Sequence, residues 1–268
     1  MKPIKSKIAL IYSGNIDPNL THWDNITLNH MNLLCVLFPS YEISNIDIYF
    51  VVNEINTTEL LRVPFYKHNT VNVVCTNTGS SWKKTSVVDL GKMNPSRIAE
   101  FEDRIRRRGL NPEAICNIKN MEQFHKLSIS IKLKQEAEAL SLTSYDKCVR
   151  IRPDTVFNTD MFEEMKQFVS KEGYFMHLND LFFIGSSSMF DSIINILDEV
   201  YTIEENVVEG FSSNVDARQG NNLIRLFPEI QFMTVVCKHS PTGKYDLSWN
   251  IAHPHEWIKY IRIIRSHE

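Results

Sequence analysis

Tyr145-Asp-Lys-Cys-Val-Arg-Ile-Arg-Pro-Asp-Thr-Val-Phe157 is the stretch that decides how this 268-residue chain is read. Lys147 to Ile151 has the length and apolar content of a short buried strand. It runs into Arg152-Pro153-Asp154, where proline lacks the N–H that a sheet ladder needs and fixes its own backbone. The pattern thus holds a carboxylate at the C-terminal end of a strand, just after two arginines. Ligands of open α/β sheets bind at such ends. One acid with guanidinium groups suits a metal-bound diphosphate: the carboxylate takes the cation, and planar guanidinium groups take phosphate oxygens in pairs. Strand alternation puts Arg150 and Arg152 on one face, with Ile151 between them. A salt bridge to Asp146 or Asp154 is the alternative use for either arginine.

Upstream, strands alternate with helices. Lys7 to Tyr12 is a continuous apolar run ended by Ser13-Gly14-Asn15. A helix follows, with Trp23, Ile26, His30, Met31, Leu34, Cys35 and Phe38 at three- and four-residue spacing until Pro39. Ile46 to Val52 and Val71 to Cys75 are the next strands. Continuous apolar strands separated by helices predict an α/β fold with a mostly parallel central sheet and helices on both faces. Residues 76 to 92 read as a loop and Pro95 to Gly109 as a helix. Its arginines (Arg104, Arg106, Arg107, Arg108) form a solvated face or, alternatively, an acceptor-binding surface. A helix from Met121 to Leu142 carries an apolar stripe that shifts from Phe124, Leu127 and Ile131 to Leu133, Ala137 and Leu140, so it is expected to be buried on two sides.

Downstream, Asp160 and Glu163 have capping-box spacing before a helical face of Met161, Phe162, Met165, Phe168 and Val169. Short strands are expected at Tyr174–His177 and Leu181–Ile184. An amphipathic helix with Met189, Ile193, Ile196, Leu197 and Val200 comes next, then a helix from Ala217 to Phe227 and a last strand from Ile230 to Val236. No repeat or linker divides the chain. It reads as one domain over residues 1–268, with a nucleotide-binding half (7–157) and an acceptor-side half with a C-terminal tail (158–268).

Composition sets the outer bounds. Hydrophobic content of 43% and charged content of 23% are those of an ordinary globule. A net charge of −3 and a pI near 6.3 argue against a nucleic-acid partner. No apolar run approaches the ~20 residues of a membrane span, and Ile8 to Tyr12 is too short for a signal segment, so a cytoplasmic location is expected. Cys35, Cys75, Cys116, Cys148 and Cys237 form no Cys-x-x-Cys pair and are expected to be buried, reduced thiols.

The order of these motifs resembles a group of GT-A fold, Rossmann-like glycosyltransferases that build surface polysaccharides in bacteria and large viruses. It comprises a strand ending in Ser13-Gly14, a strand of the type Ile46-Asp-Ile-Tyr-Phe50, then Tyr145-Asp-x-x-x-Arg-x-Arg-Pro-Asp154, then Asn179-Asp-x-Phe-x-x-Gly-Ser186. The resemblance spans most of residues 7 to 227 and implies a hexosyl- or pentosyltransferase. Such an enzyme moves sugar from a nucleoside diphosphate sugar donor to a hydroxyl of a glycan acceptor. It implies donor contacts at Ser13, Gly14, Asn15, Arg150, Arg152, Asp154 and Lys238. It also implies a divalent cation (Mn2+ or Mg2+) on Asp154 and His239, and Asp180 as the base for the acceptor hydroxyl. The family usually has Asp-x-Asp where this chain has Arg152-Pro-Asp154, so either Asp154 ligates a cation with phosphate oxygens and water completing the shell, or the arginines supply the positive charge directly. Gly14 would let a ligand approach the backbone. Asp180 can equally be a turn residue, and Trp249 and Trp257 can stack on sugar or pack. Two rivals stand beside this reading: a non-catalytic nucleotide- or glycan-binding relative, and a sugar-phosphate nucleotidyltransferase. The latter should carry a Gly-rich basic loop after the first strand, which Ser13 to Asp17 lacks.

Overall fold

The computed structural model describes residues 7–16, 23–107, 112, 118–169, 176–178, 181–200 and 261–263. In chain order its elements are β1 (Ile8–Gly14), α1 (Trp23–Leu37), β2 (Ile46–Val52), α2 (Thr57–Leu60), α3 (Pro64–Asn69), β3 (Thr70–Cys75) and β4 (Ser80–Ser81). Then come α4 (Pro95–Arg107), α5 (Ile118–Ser141), β5 (Lys147–Ile151), β6 (Thr155–Phe157), α6 (Phe162–Val169), β7 (Met176–Leu178), β8 (Phe182–Gly185), α7 (Ser187–Ser192), α8 (Ile196–Val200) and β9 (Ile261–Ile263).

β1 is buried along its whole length because both its faces are covered. Ile8, Leu10 and Tyr12 pack on one side with Leu33, Leu34 and Leu37 of α1, Phe65 and Tyr66 of α3 and Met165 of α6. Ala9 and Ile11 pack on the other with Phe101 of α4, Phe124, Leu127 and Ile131 of α5, and Phe190 of α7. The alternation of a pleated strand divides the core in two, so a continuous apolar run here means a central strand.

The sheet order is β4-β3-β2-β1-β5-β8-β7, and β6 pairs with β9 in a separate ribbon. β3, β2, β1 and β5 run parallel, whereas β4, β8 and β7 each pair antiparallel with their neighbours. The sheet is therefore mixed, with the expected parallel strands at its centre and antiparallel pairings toward its edges. Leu178 and Phe182 are register partners only four positions apart. So short a connection allows only an antiparallel hairpin, because a parallel crossover needs a dozen or more residues.

Several local expectations need correction. The helix expected through Val200 is two, α7 and α8. The Ser192 hydroxyl donates to the Met189 carbonyl (2.7 Å) and the chain tightens into a turn at Ile193, as serine does when it competes with helical bonding. The Asp160 capping box does not form; Asn158 caps a 3-10 turn over Thr159–Met161 by accepting from the Asp160 N–H (3.2 Å). Leu140 is exposed, because α5 has passed the edge of the core. Of the cysteines, Cys148 is buried, Cys75 is half-buried and Cys35 is exposed; Cys116 and Cys237 lie outside the described residues, as do the helix at 217–227 and the strand at 230–236. No helix among the described residues is long and apolar enough to cross a membrane.

Candidate functional site

The chain leaves β1 toward β2 and β3, then returns to place β5 on the other side of β1. Strand order reverses between these two, and doubly wound sheets bind ligands outside the carboxyl ends at such a reversal. Tyr12 is the register partner of Ile151. Ser13-Gly14-Asn15 and Arg152-Pro153-Asp154 therefore emerge side by side.

The side chains lock these exits together. Arg150 is fully buried: its Nε donates to Ser13 Oγ (2.9 Å), its Nη2 to the Ser13 carbonyl (2.7 Å), and its guanidinium lies 5.0 Å from the Phe183 ring centre. Asp146 instead accepts from the Lys7 backbone N–H (2.8 Å). Arg152 makes the ion pair that its sequence allowed with Asp154, bidentate, through Nε and Nη2 at 2.8 Å each. The Arg152 carbonyl closes the turn by accepting from the N–H (3.2 Å) and hydroxyl (2.6 Å) of Thr155. Gly14 has φ +149°, a conformation L side chains avoid, and a Cβ there would sit 3.2 Å from Arg152 Cγ. The close neighbour of this bare backbone is thus the Arg152 side chain, whereas the sequence pointed to a ligand.

Three side chains outside the motifs hold the site from below and were not legible as such. His30, read as part of the apolar stripe of α1, donates from Nε2 to the Thr155 carbonyl (2.8 Å), leaving Nδ1 to accept from the Tyr12 hydroxyl (3.0 Å). Burial lowers its pKa to about 4, against a smaller opposing effect of the Thr155 bond, so the ring is neutral. Asn29 pins Phe157, donating to its carbonyl (2.9 Å) and accepting its N–H (2.8 Å). Asn53, just past β2, does the same for Ile16, at 3.0 and 2.6 Å.

Lys126 of α5 is a fourth. It is only 2% exposed, and its ammonium donates to Asn15 Oδ1. Burial lowers its pKa to about 8, with Glu122 pulling the other way and Lys92 adding to the shift. Its signal in the sequence is a lysine inside a helix expected to be buried on two sides. Elsewhere, the arginines of α4 serve that helix: Arg104, Arg106 and Arg107 pair with Glu100, Glu102 and Asp103 one turn back.

Among the described residues, the donor set around Asp154 does not fit a divalent cation. Both carboxylate oxygens are engaged by Arg152, and no three His, Cys, Asp or Glu side chains among the described residues converge on one point. Hard cations take six or more oxygen ligands, usually one or two of them carboxylates free to bind, with water and phosphate completing the shell. Asp17, Asp180, Lys238, His239, Trp249 and Trp257 lie outside the described residues. Asp180 is the sequence neighbour of Leu181, whose carbonyl accepts the Arg152 N–H (2.8 Å). No family model, curated protein or solved structure matches this chain.

Proposed function

We propose that the chain is a glycosyltransferase of the GT-A type, moving a sugar from a nucleoside diphosphate sugar to a hydroxyl of a glycan acceptor. The observation that carries this reading is the meeting of two motifs from distant parts of the chain at the β1–β5 reversal. Ser13, Gly14 and Asn15 come from one, and Arg150, Arg152 and Asp154 from the other. The polar groups and bare backbone on the β1 side, together with the guanidinium groups on the β5 side, suit a nucleoside diphosphate bound between them.

In this reaction the acceptor oxygen attacks the anomeric carbon as the bond to the diphosphate oxygen breaks. The departing diphosphate gathers negative charge, so preorganised cations lower the barrier by stabilising the leaving group. Arg150 is already fixed by Ser13 and Phe183. Such a group loses little freedom when a ligand arrives. Asp180 is the candidate base for an inverting reaction, and its neighbour Leu181 is bonded to Arg152.

A thermal-shift screen of nucleoside diphosphates and their sugars, with and without manganese, tests the reading. A ligand at 100 times its dissociation constant adds about 2.7 kcal/mol of stability. The expected result is stabilisation by one base class, followed by release of that nucleoside diphosphate when a glycan acceptor is added. Stabilisation without turnover would leave a nucleotide-binding relative, and no shift with any nucleotide would overturn the proposal.

A further inference from the structure

Lys126 has no role in the motifs at the strand ends, yet its ammonium reaches Asn15, next to the Ser13 and Gly14 that Arg150 and Arg152 adjoin. A lysine ammonium has three donors. Among the described residues this one has a single hydrogen-bond partner, the neutral Asn15 amide oxygen, and no ion pair. Isolated cations are expensive to bury, and folded proteins normally pair them. The same helix shows the contrast. Lys134 is also fully buried and places its ammonium on Glu138 (2.8 Å), Asp191 (2.8 Å) and the Ser187 hydroxyl. The fold can thus satisfy a buried lysine on α5 but, among the described residues, leaves Lys126 without an anion.

Its position gives the lone charge a use. Asn15 follows Gly14, and a Cβ at Gly14 would lie 3.2 Å from Arg152 Cγ and 3.9 Å from Arg150 Nη2. Lys126 therefore approaches from α5 the stretch of β1 that the arginines reach from β5.

We propose that Lys126 and Asn15 form a phosphate-binding pair on the α5 side of the β1–β5 crevice, with the ammonium taking a phosphate oxygen of the donor diphosphate. The proposal rests on the nucleotide-sugar reading for the identity of the anion. Asn15 orients the ammonium in the free protein, and the incoming anion supplies the missing partner. The charged groups that act on Lys126 are Glu122, one turn back on α5, and Lys92; neither forms an ion pair with it. Anion binding favours the protonated lysine, so affinity should weaken as pH rises above about 8.

Calorimetry on the full chain tests this. The probes are the 5′-diphosphates of uridine, guanosine, cytidine and thymidine, the four nucleosides, and inorganic pyrophosphate. In the wild type the diphosphate should bind more tightly than its nucleoside. Lys126→Met should lose about ten- to a hundredfold of diphosphate affinity, as expected for one charged hydrogen bond, while nucleoside affinity stays within about twofold. Lys126→Gln serves as a second variant if Lys126→Met fails to fold, and Lys126→Arg should retain more of the diphosphate affinity than either. Diphosphate affinity within about twofold of wild type in Lys126→Met and Lys126→Gln would overturn the proposal and leave Lys126 as a structural tether. Lys126-dependent pyrophosphate binding without any nucleotide binding would support the anion site and sink the nucleotide-sugar reading instead. If neither pyrophosphate nor any nucleotide binds, both fall.

Discussion

Two buried lysines on α5, eight residues apart, are treated in opposite ways. Lys134 has three partners for its three donors. Burial works against its charge, but Cys148 and the hydrogen bonds to Asp191 and Glu138 outweigh that, and its pKa is raised. At neutral pH the Cys148 thiol, itself pushed up to about 12 by burial, is uncharged, so the two carboxylates carry the pairing. This network ties α5 to α7 beside β5, and it is complete. Lys126 lies where the same helix passes the end of β1, with one neutral partner among the described residues and a pKa lowered to about 8. A charge satisfied within the fold reads as structural. One left short of partners at a strand reversal reads as waiting for a ligand.

The largest expected effect comes from breaking the complete network. Lys134→Met leaves Glu138 and Asp191 without their cation and should cost about 3 kcal/mol in urea denaturation. That is the low end for a broken buried pair, because the Asp191 side chain is 35% exposed. A loss below about 1 kcal/mol would erase the contrast between the two lysines.

The brace beneath the site gives an acid-side test. His30 has a folded pKa of about 4 against an ordinary 6.5. Its contribution is fully present above pH 6.5 and is lost as pH falls through about 4, a change on the order of 3 kcal/mol. His30→Asn should flatten that part of the stability profile, because the Tyr12 and Thr155 contacts no longer involve a titrating ring. A variant with the wild-type profile would show that other groups dominate.

A smaller effect is expected at the site's own ion pair. Asp154→Asn removes the carboxylate that Arg152 grips twice and should cost about 2 kcal/mol while abolishing sugar transfer. Arg152→Lys should fail in transfer too, since an ammonium cannot reproduce the bidentate contact. Wild-type turnover in either variant would remove this pair from the site.

The smallest stability effect, of opposite sign, belongs to Lys126. Lys126→Met replaces an unmatched buried charge by an apolar chain of similar length, so the free protein should gain about 1 kcal/mol. The gain should be full below pH 8 and shrink, then reverse, as pH rises from about 8 toward 10.5, because the wild-type lysine then becomes neutral in the fold before it does so in the unfolded chain. Destabilisation comparable to Lys134→Met would mean that both lysines are structural.

How far the sequence could be read follows from what periodicity encodes. The four parallel strands stood out as continuous apolar runs, because both their faces are buried. Short edge strands carry too few residues for a pattern, and pairing direction leaves no mark in composition. β4, β6 and β9 were therefore invisible, and the antiparallel β7–β8 pair was read only as two strands. At the site, Ser13-Gly14-Asn15 and Arg150 to Asp154 could be picked out because turn residues and charges interrupt apolar runs. The partners of those charges could not. That Arg150 turns inward to Ser13, and that Lys126 reaches Asn15 from 111 residues away, are consequences of tertiary packing. His30 and Asn29 hid for the same reason, since a polar side chain on a helix's inner face counts in the pattern as a core position.

On the proposed reading, the β1–β5 reversal holds the donor diphosphate. A crystal structure with the nucleoside diphosphate giving the largest thermal shift tests it most directly. Phosphate density is expected against residues 13–15, within hydrogen-bond distance of the Lys126 ammonium and the Arg152 guanidinium. A nucleotide bound elsewhere on the fold, with the Lys126–Asn15 and Arg152–Asp154 contacts unchanged, would contradict it.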